Sequence, residues 1–225
     1  MILLAWCAGS TTLAMAQPGT YLQVNAGVYV GKQLIKPASG FDFGYGPGYK
    51  AGLIGGIARN RWRLELGAEV LTMVASKKML VYFGDVIDPR TGKIVTEPID
   101  TKFTERYQHV MIPLTVGFRL AKSRKLAFNL VAGAAVSNNF ACDRKAEGEF
   151  LDGKWRRVSF TGNRLARWSI WGTVGMEAGY QPGRHTQLIL GPEVWYMCSS
   201  FKNDTRIRQH PLATGLTLSF RYFLQ

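Results

Sequence analysis

Hydrophobic and polar positions alternate along most of this chain with a period of two. The segment "TGLTLSFRYFLQ" sets Leu216, Leu218, Phe220, Tyr222 and Leu224 against Gly215, Thr217, Ser219 and Arg221. Successive side chains of a strand point to opposite faces, so this is a strand with one apolar face and one small or polar face. The pattern recurs in eight segments, at about 21–30, 49–59, 62–74, 108–120, 125–137, 167–180, 186–197 and 212–224. Their connections alternate in length. Three are tight, around "NR", "AKSR" and "QPGRH", where Asn, Gly, Pro and charged residues suit hairpin turns. Four are long, at 31–48, 75–107, 138–166 and 198–211. All long loops therefore fall at one end and all tight turns at the other, the layout of a membrane barrel with short periplasmic turns and long extracellular loops.

The polar faces carry the charges. Trp62, Leu64, Leu66, Ala68 and Val70 oppose Arg63, Glu65, Gly67 and Glu69, and Val110, Ile112, Leu114, Val116 and Phe118 oppose His109, Thr115, Gly117 and Arg119. Glu177, Glu193 and Arg221 fall on the polar side of their own segments. A soluble lipocalin-like barrel would turn these groups to solvent and enclose a large, wholly apolar cavity. A membrane barrel would turn the apolar face to lipid and hold Arg63, Glu65, Glu69, Arg119, Glu177, Glu193 and Arg221 as an interior charge network. Eight strands leave an interior just wide enough for side chains to fill, so such groups must pair.

Aromatic placement favours the membrane. Trp62, Phe118, Tyr180 and Tyr222 lie on apolar faces near the tight turns, and Trp168 and Tyr196 lie on apolar faces near the long loops. Two aromatic girdles around an aliphatic band mark the interfaces of a bilayer. The expected class is all-β, an eight-stranded antiparallel up-and-down transmembrane β-barrel with long extracellular loops. Pro113 and Pro192 remove ladder donors within two strands, where bulges are expected.

Composition agrees with strands and turns: 25 glycines and 12% aromatic residues. The opening run "MILLAWCAGSTTLAMAQ" ends in Ala14-Met15-Ala16, a small-x-small site that predicts a signal peptide at 1–16, export, and a barrel domain over 17–225. A formal charge of +13 would ordinarily suggest nucleic acid, but no zinc-finger spacing or aromatic RNA-binding motif accompanies it, and no nucleic-acid partner is expected. Arg59, Arg61, Lys122, Arg124, Lys125 and Arg184 collect at the tight turns without an acid among them, and the long loops are also basic. Both rims suit the phosphates of outer-membrane lipid and lipopolysaccharide. His109, His185 and His210 are scattered, and no nucleophile sits with a base, so no catalytic, metal or cofactor site is expected.

The stretch "YQHVMIPLTVGFRLAKSRKLAFNLVAGAAVS" resembles the Tyr-x-x-x-Ile-Pro-Leu strand, short turn and Gly-containing strand of the PorT-like outer-membrane β-barrel proteins of Bacteroidota, with Ile112-Pro113-Leu114 its most specific element. "LSFRYFL" resembles a barrel-type terminal strand, although the chain ends on Gln225 rather than an aromatic. The resemblance implies an eight-stranded barrel in a Gram-negative outer membrane, in a family of which some members serve type IX secretion.

Each of the two longest loops contains a pair of strand-like runs, around Pro89-Arg90-Thr91-Gly92 and around Asp152-Gly153, and should form a hairpin that extends the barrel wall above the membrane. Tyr82, Phe83, Phe150, Trp155 and Phe160 would then be available for contact, including with other outer-membrane proteins. Cys142 and Cys198 are a candidate disulfide if the loops fold across the barrel mouth. The functional expectation is a non-enzymatic integral outer-membrane protein with an envelope structural or an assembly or secretion-accessory role. A small passive pore and a soluble periplasmic barrel that binds an apolar ligand stand as alternatives.

Overall fold

The computed structural model describes residues 19–36, 44–82, 86–87, 94–95, 98–149, 155–161, 168–199 and 208–224. The expected signal peptide lies outside them. The described strands are β1 (Gly19–Lys36), β2 (Gly46–Arg59), β3 (Trp62–Tyr82), β4 (Val86–Ile87), β5 (Ile94–Val95), β6 (Pro98–Lys122), β7 (Leu126–Glu149), β8 (Trp155–Thr161), β9 (Trp168–Tyr180), β10 (Thr186–Met197) and β11 (Arg208–Phe223). Eight of them pair antiparallel in the order β6, β3, β2, β1, β11, β10, β9, β7, and pairing of β6 with β7 closes the ring. The expected fold class is therefore observed.

Closure explains the alternation in the last segment. β11 runs against β1 from Tyr21 opposite Phe223 to Lys36 opposite Arg208, so the first and last strands satisfy each other and no spanning edge is left open. The tight turns lie where expected. Arg59 pairs with Trp62 across a two-residue loop, and Asn60 takes a φ of 57°, a left-handed conformation that Asn tolerates better than most residues.

Strand length divides the barrel into two levels. A tilted transmembrane strand needs about 9–11 residues, whereas β3, β6 and β7 have 21, 25 and 24. Above the spanning level β3 stays paired with β6 from Val74 opposite Arg106 to Tyr82 opposite Pro98, and β6 stays paired with β7 up to Thr101 opposite Gly148. β8 then adds to β7 between Asp143–Thr161 and Glu149–Trp155. The two hairpins expected from the loops are present, and the β6–β7 ladder joins them into one sheet that rises from one side of the barrel. A two-residue ladder between β4 and β5 lies in the β3–β6 connection.

Two expectations about local geometry are corrected. Pro113 and Pro192 do not create bulges. The β3–β6 ladder skips from Leu66–Leu114 to Glu69–Met111, and the β9–β10 ladder skips from Leu190–Ala178 to Glu193–Gly175, each without a change of register. A missing N–H removes pairs on one side without inserting a residue. The register shifts are instead between β6 and β7, at Gln108/His109 and at Arg119/Ala121.

Candidate functional site

The outer surface is apolar throughout the spanning level. Leu53, Leu66, Ile112, Leu114, Val174, Leu190 and Leu218 are all at least half exposed on it. Trp62, Tyr180 and Tyr222 ring the turn end of this band, with Trp62 packed on Phe118 at 4.7 Å between ring centroids. Trp168, Tyr49 and Phe140 ring the other end. From Trp168 to Tyr180 runs the whole of β9, 13 residues. At about 3.3 Å per residue and a tilt of roughly 40° that is about 30 Å, the thickness of a bilayer's hydrocarbon core. Water cannot wet such a belt without a large hydrophobic cost, and a closed ladder presents no open strand edge to lipid. This is an integral outer-membrane β-barrel.

Inside, the paired charges fall into two groups, and Glu65 belongs to the first. Glu65 is its hub. Its Oε1 contacts Arg63 Nε at 2.9 Å and Arg221 Nη2 at 2.9 Å and accepts from the Tyr21 hydroxyl at 2.7 Å, while its Oε2 accepts from Thr115 Oγ1 at 2.8 Å. Arg63 also reaches Glu177 Oε2 at 2.5 Å. Arg221 is held by Gln23 and Gln187, with Nε and Nη1 each 3.0 Å from a side-chain carbonyl, and its guanidinium carbon lies 4.3 Å from the Tyr21 ring centre. Glu69 and Glu193 belong to a second group around a residue outside the expected inward set, Lys50. Its ammonium sits 2.6 Å from Glu193 and 3.3 Å from Glu69 and lies over the Trp195 ring at 4.9 Å. Asn25 supports Glu69, and Tyr29 and Thr217 support Glu193.

Lys50 changes the charge balance. The inward set expected from sequence has three arginines and four glutamates, and Lys50 supplies the fourth cation. It occupies the inward parity of β2, two residues below Gly48 and two above Gly52, at the start of a segment whose other inward positions are small or apolar. Arg119 behaves differently from its expected partners. Among the described residues it makes no ion pair, and its Nε is buried without a hydrogen-bond acceptor.

The upper interior is packed mainly with apolar side chains. Leu71, Met73, Tyr107, Met111, Trp171, Trp195 and Met197 pack into a buried apolar cluster across the barrel. Trp171 donates to Ser137 Oγ at 2.9 Å, and Ser137 and Ser169 share a hydrogen bond at 2.8 Å, so the indole is satisfied inside the wall. His109 is buried against the Trp171 ring at 5.5 Å. The signal was present in the sequence. Leu71, Met111, Trp171 and Trp195 share the inward parity of Glu69, His109, Ser169 and Glu193, one or two steps along their strands.

Small cavities interrupt this packing. One of about 50 Å³ lies within the polar network beside Lys50, Glu65, Glu69 and Glu193. A second, of about 80 Å³, opens at the tight-turn end beside Arg61, Arg119, Lys122 and Lys125.

The remaining expectations are placed as follows. Cys142, which is buried, and Cys198, which is exposed, are not joined to each other, so the candidate disulfide is not formed. Met197 pairs with Trp171, and Trp171 with Ala135, seven residues before Cys142 on β7. At about 3.3 Å per residue the two thiols are separated by roughly 20 Å along the wall. Phe83 and Phe150 lie outside the described residues, as do the side chains of Tyr82, Trp155 and Phe160. Among the described residues no three metal-ligating side chains come together.

No family model matches the chain, and no curated protein matches it. Solved structures do. The chain is similar to Neisserial surface protein A at 13% identity and a TM-score of 0.49, covering 92% of this chain and 97% of that one. It is similar to the outer membrane protein OprG from Pseudomonas aeruginosa at 12% and 0.44, covering 92% and 97%. It is also similar to the outer membrane protease OmpT from Escherichia coli at 9% and 0.44, covering 95% and 99%. These scores are low, and the barrel assignment rests on this chain's own ladders and lipid-facing belt.

Proposed function

We propose that this protein is a closed, non-enzymatic scaffold of the outer membrane that holds a sheet above the membrane for contact with other envelope components. The observation that carries this reading is the asymmetry of the wall: β3, β6 and β7 continue far past the spanning level and take up β8, while β2, β9 and β10 have 14, 13 and 12 residues. Extending three adjacent strands on one side builds a projecting surface, which a simple membrane plug does not need. The filled interior supports the same reading over that of a passive pore, because a solute would have to displace Trp171, Trp195 and the ion pairs of Glu65 and Lys50. The apolar exterior and charged interior are the reverse of what a soluble apolar-ligand carrier requires. The resemblance of Ile112-Pro113-Leu114 and its surroundings to PorT-like barrels favours an assembly or secretion-accessory role.

Deleting 85–97 or 149–158 tests it. Neither deletion touches a spanning ladder, so the barrel should still fold and shift in mobility on heating in SDS, while envelope proteins cross-linked to the intact protein should be lost from one or both variants. An unchanged cross-linked set in both variants, with no envelope defect, would sink the scaffold reading.

A further inference from the structure

Chemistry that the scaffold reading leaves unused lies at the tight-turn mouth. Four cations meet at one small cavity there: Arg61 from the β2–β3 turn, Arg119 and Lys122 from the end of β6, and Lys125 from the turn before β7. Arg63 and Arg221 form its inner wall, with the amides of Asn129 and Gln187 beside them. No acid lines it. The acids above it are already engaged, Glu65 by Arg63 and Arg221, and Glu177 by Arg63.

Arg119 is the informative residue. A cation drawn from water into a barrel mouth needs an anion or several acceptors to offset its desolvation. Arg119 has neither among the described residues, and its Nε is buried without an acceptor. The backbone is built to hold it in that position. Its amide donates to the Arg61 carbonyl at 2.8 Å, and the ladder to β7 shifts register immediately after it, a device that re-aims a side chain. The cavity, about 80 Å³, has room for roughly five water-sized positions, enough for a small tetrahedral anion with its remaining hydration.

We propose that this mouth is a binding site for a phosphate-type oxyanion presented from the periplasmic side, with Arg119 as the central ligand and Arg61, Lys122 and Lys125 as the surrounding field. A planar guanidinium with free donors matches a phosphate's oxygens in a bidentate fashion, and the flanking charges raise the local concentration of anions. The same chemistry is offered by free phosphate and by the phosphodiester headgroups of the inner leaflet.

Isothermal titration separates the sources. Protein refolded in uncharged maltoside micelles is titrated with inorganic phosphate, and protein in phosphatidylcholine bicelles is titrated with the same bicelles doped with phosphatidylglycerol. Saturable heat in the first arm assigns a free oxyanion; saturable heat in the second arm alone assigns a headgroup. In whichever arm binds, Arg119→Gln should weaken affinity on the order of tenfold or more, whereas Lys145→Gln at the opposite end should not. Because Arg119 has no ion pair to lose, Arg119→Gln should keep the wild-type heat shift in SDS and should not lower the urea midpoint without ligand. If that variant nevertheless fails to fold, the exposed Lys122→Gln/Lys125→Gln double variant carries the same expectation of weaker binding. Absence of saturable binding in both arms, or equal affinity in wild type and the folded variant, would overturn the proposal.

Discussion

At the scale of residues, the interior is held by a few carboxylates that each serve several partners. Glu65 receives two arginines, a tyrosine and a threonine, so Glu65→Leu leaves two buried guanidiniums without their shared anion. Removing one partner of a buried pair typically costs about 3–5 kcal/mol. The expected result is a destabilisation of that size in urea titrations of the refolded protein; a neutral variant would mean that water replaces the carboxylate. Lys50→Met should be similarly harmful, because it strands Glu69 and Glu193, and Glu69→Gln in that background should recover part of the loss. A third expectation concerns space. A Cβ on Gly117 would lie 2.4 Å from Arg63 Nε, so Gly117→Ala must push Arg63 off Glu65 or bend the wall, and its urea midpoint should fall. The inward charges Arg63, Glu65, Glu69, Glu177, Glu193 and Arg221 were legible from period-two alternation alone. Lys50 was not, because one charge at the start of a Gly-rich strand has no charged neighbour of its own parity to mark it. The partner of Glu69 is this lysine.

Elements were legible where lipid and interior impose opposite demands on successive residues. Within the spanning level the alternation is strict, and the expected segments 167–180 and 186–197 lie close to β9 and β10. Above the membrane both faces meet water or loops, the alternation fades in "SKKMLVYF" and "TKFTERYQ", and the strands run on for eight to twelve residues beyond their expected ends. The extensions are ordinary sheet outside lipid, with water at hand for local opening. In hydrogen–deuterium exchange the amides of 98–106 should therefore exchange well ahead of those of 110–118 on the same strand. Equal protection along β6 would show that the projecting sheet is covered by something further. The prolines illustrate the other limit of sequence reading. Pro113 and Pro192 announce missing donors, but whether the ladder absorbs the gap or inserts a residue depends on the neighbouring strands, and here it absorbs it.

For the whole molecule, placement in a membrane follows from one fact: the apolar face is outside. Topology can be read with single cysteines in a Cys198→Ser background, since Cys198 is exposed and would otherwise react. Lys145→Cys should label on intact cells, and Arg124→Cys only after permeabilisation. The more demanding claim is that the barrel is filled. Ion pairs occupy its lower half and the Trp171–Trp195 cluster its upper half, with a cavity of about 50 Å³ inside the polar network and one of about 80 Å³ at the turn-end mouth. Single-channel recording in planar bilayers tests this most directly, using protein whose insertion has been verified by its heat-dependent mobility in SDS. A silent membrane under applied potential is the predicted result. Stable, stepwise ohmic openings from the inserted wild-type protein would contradict it.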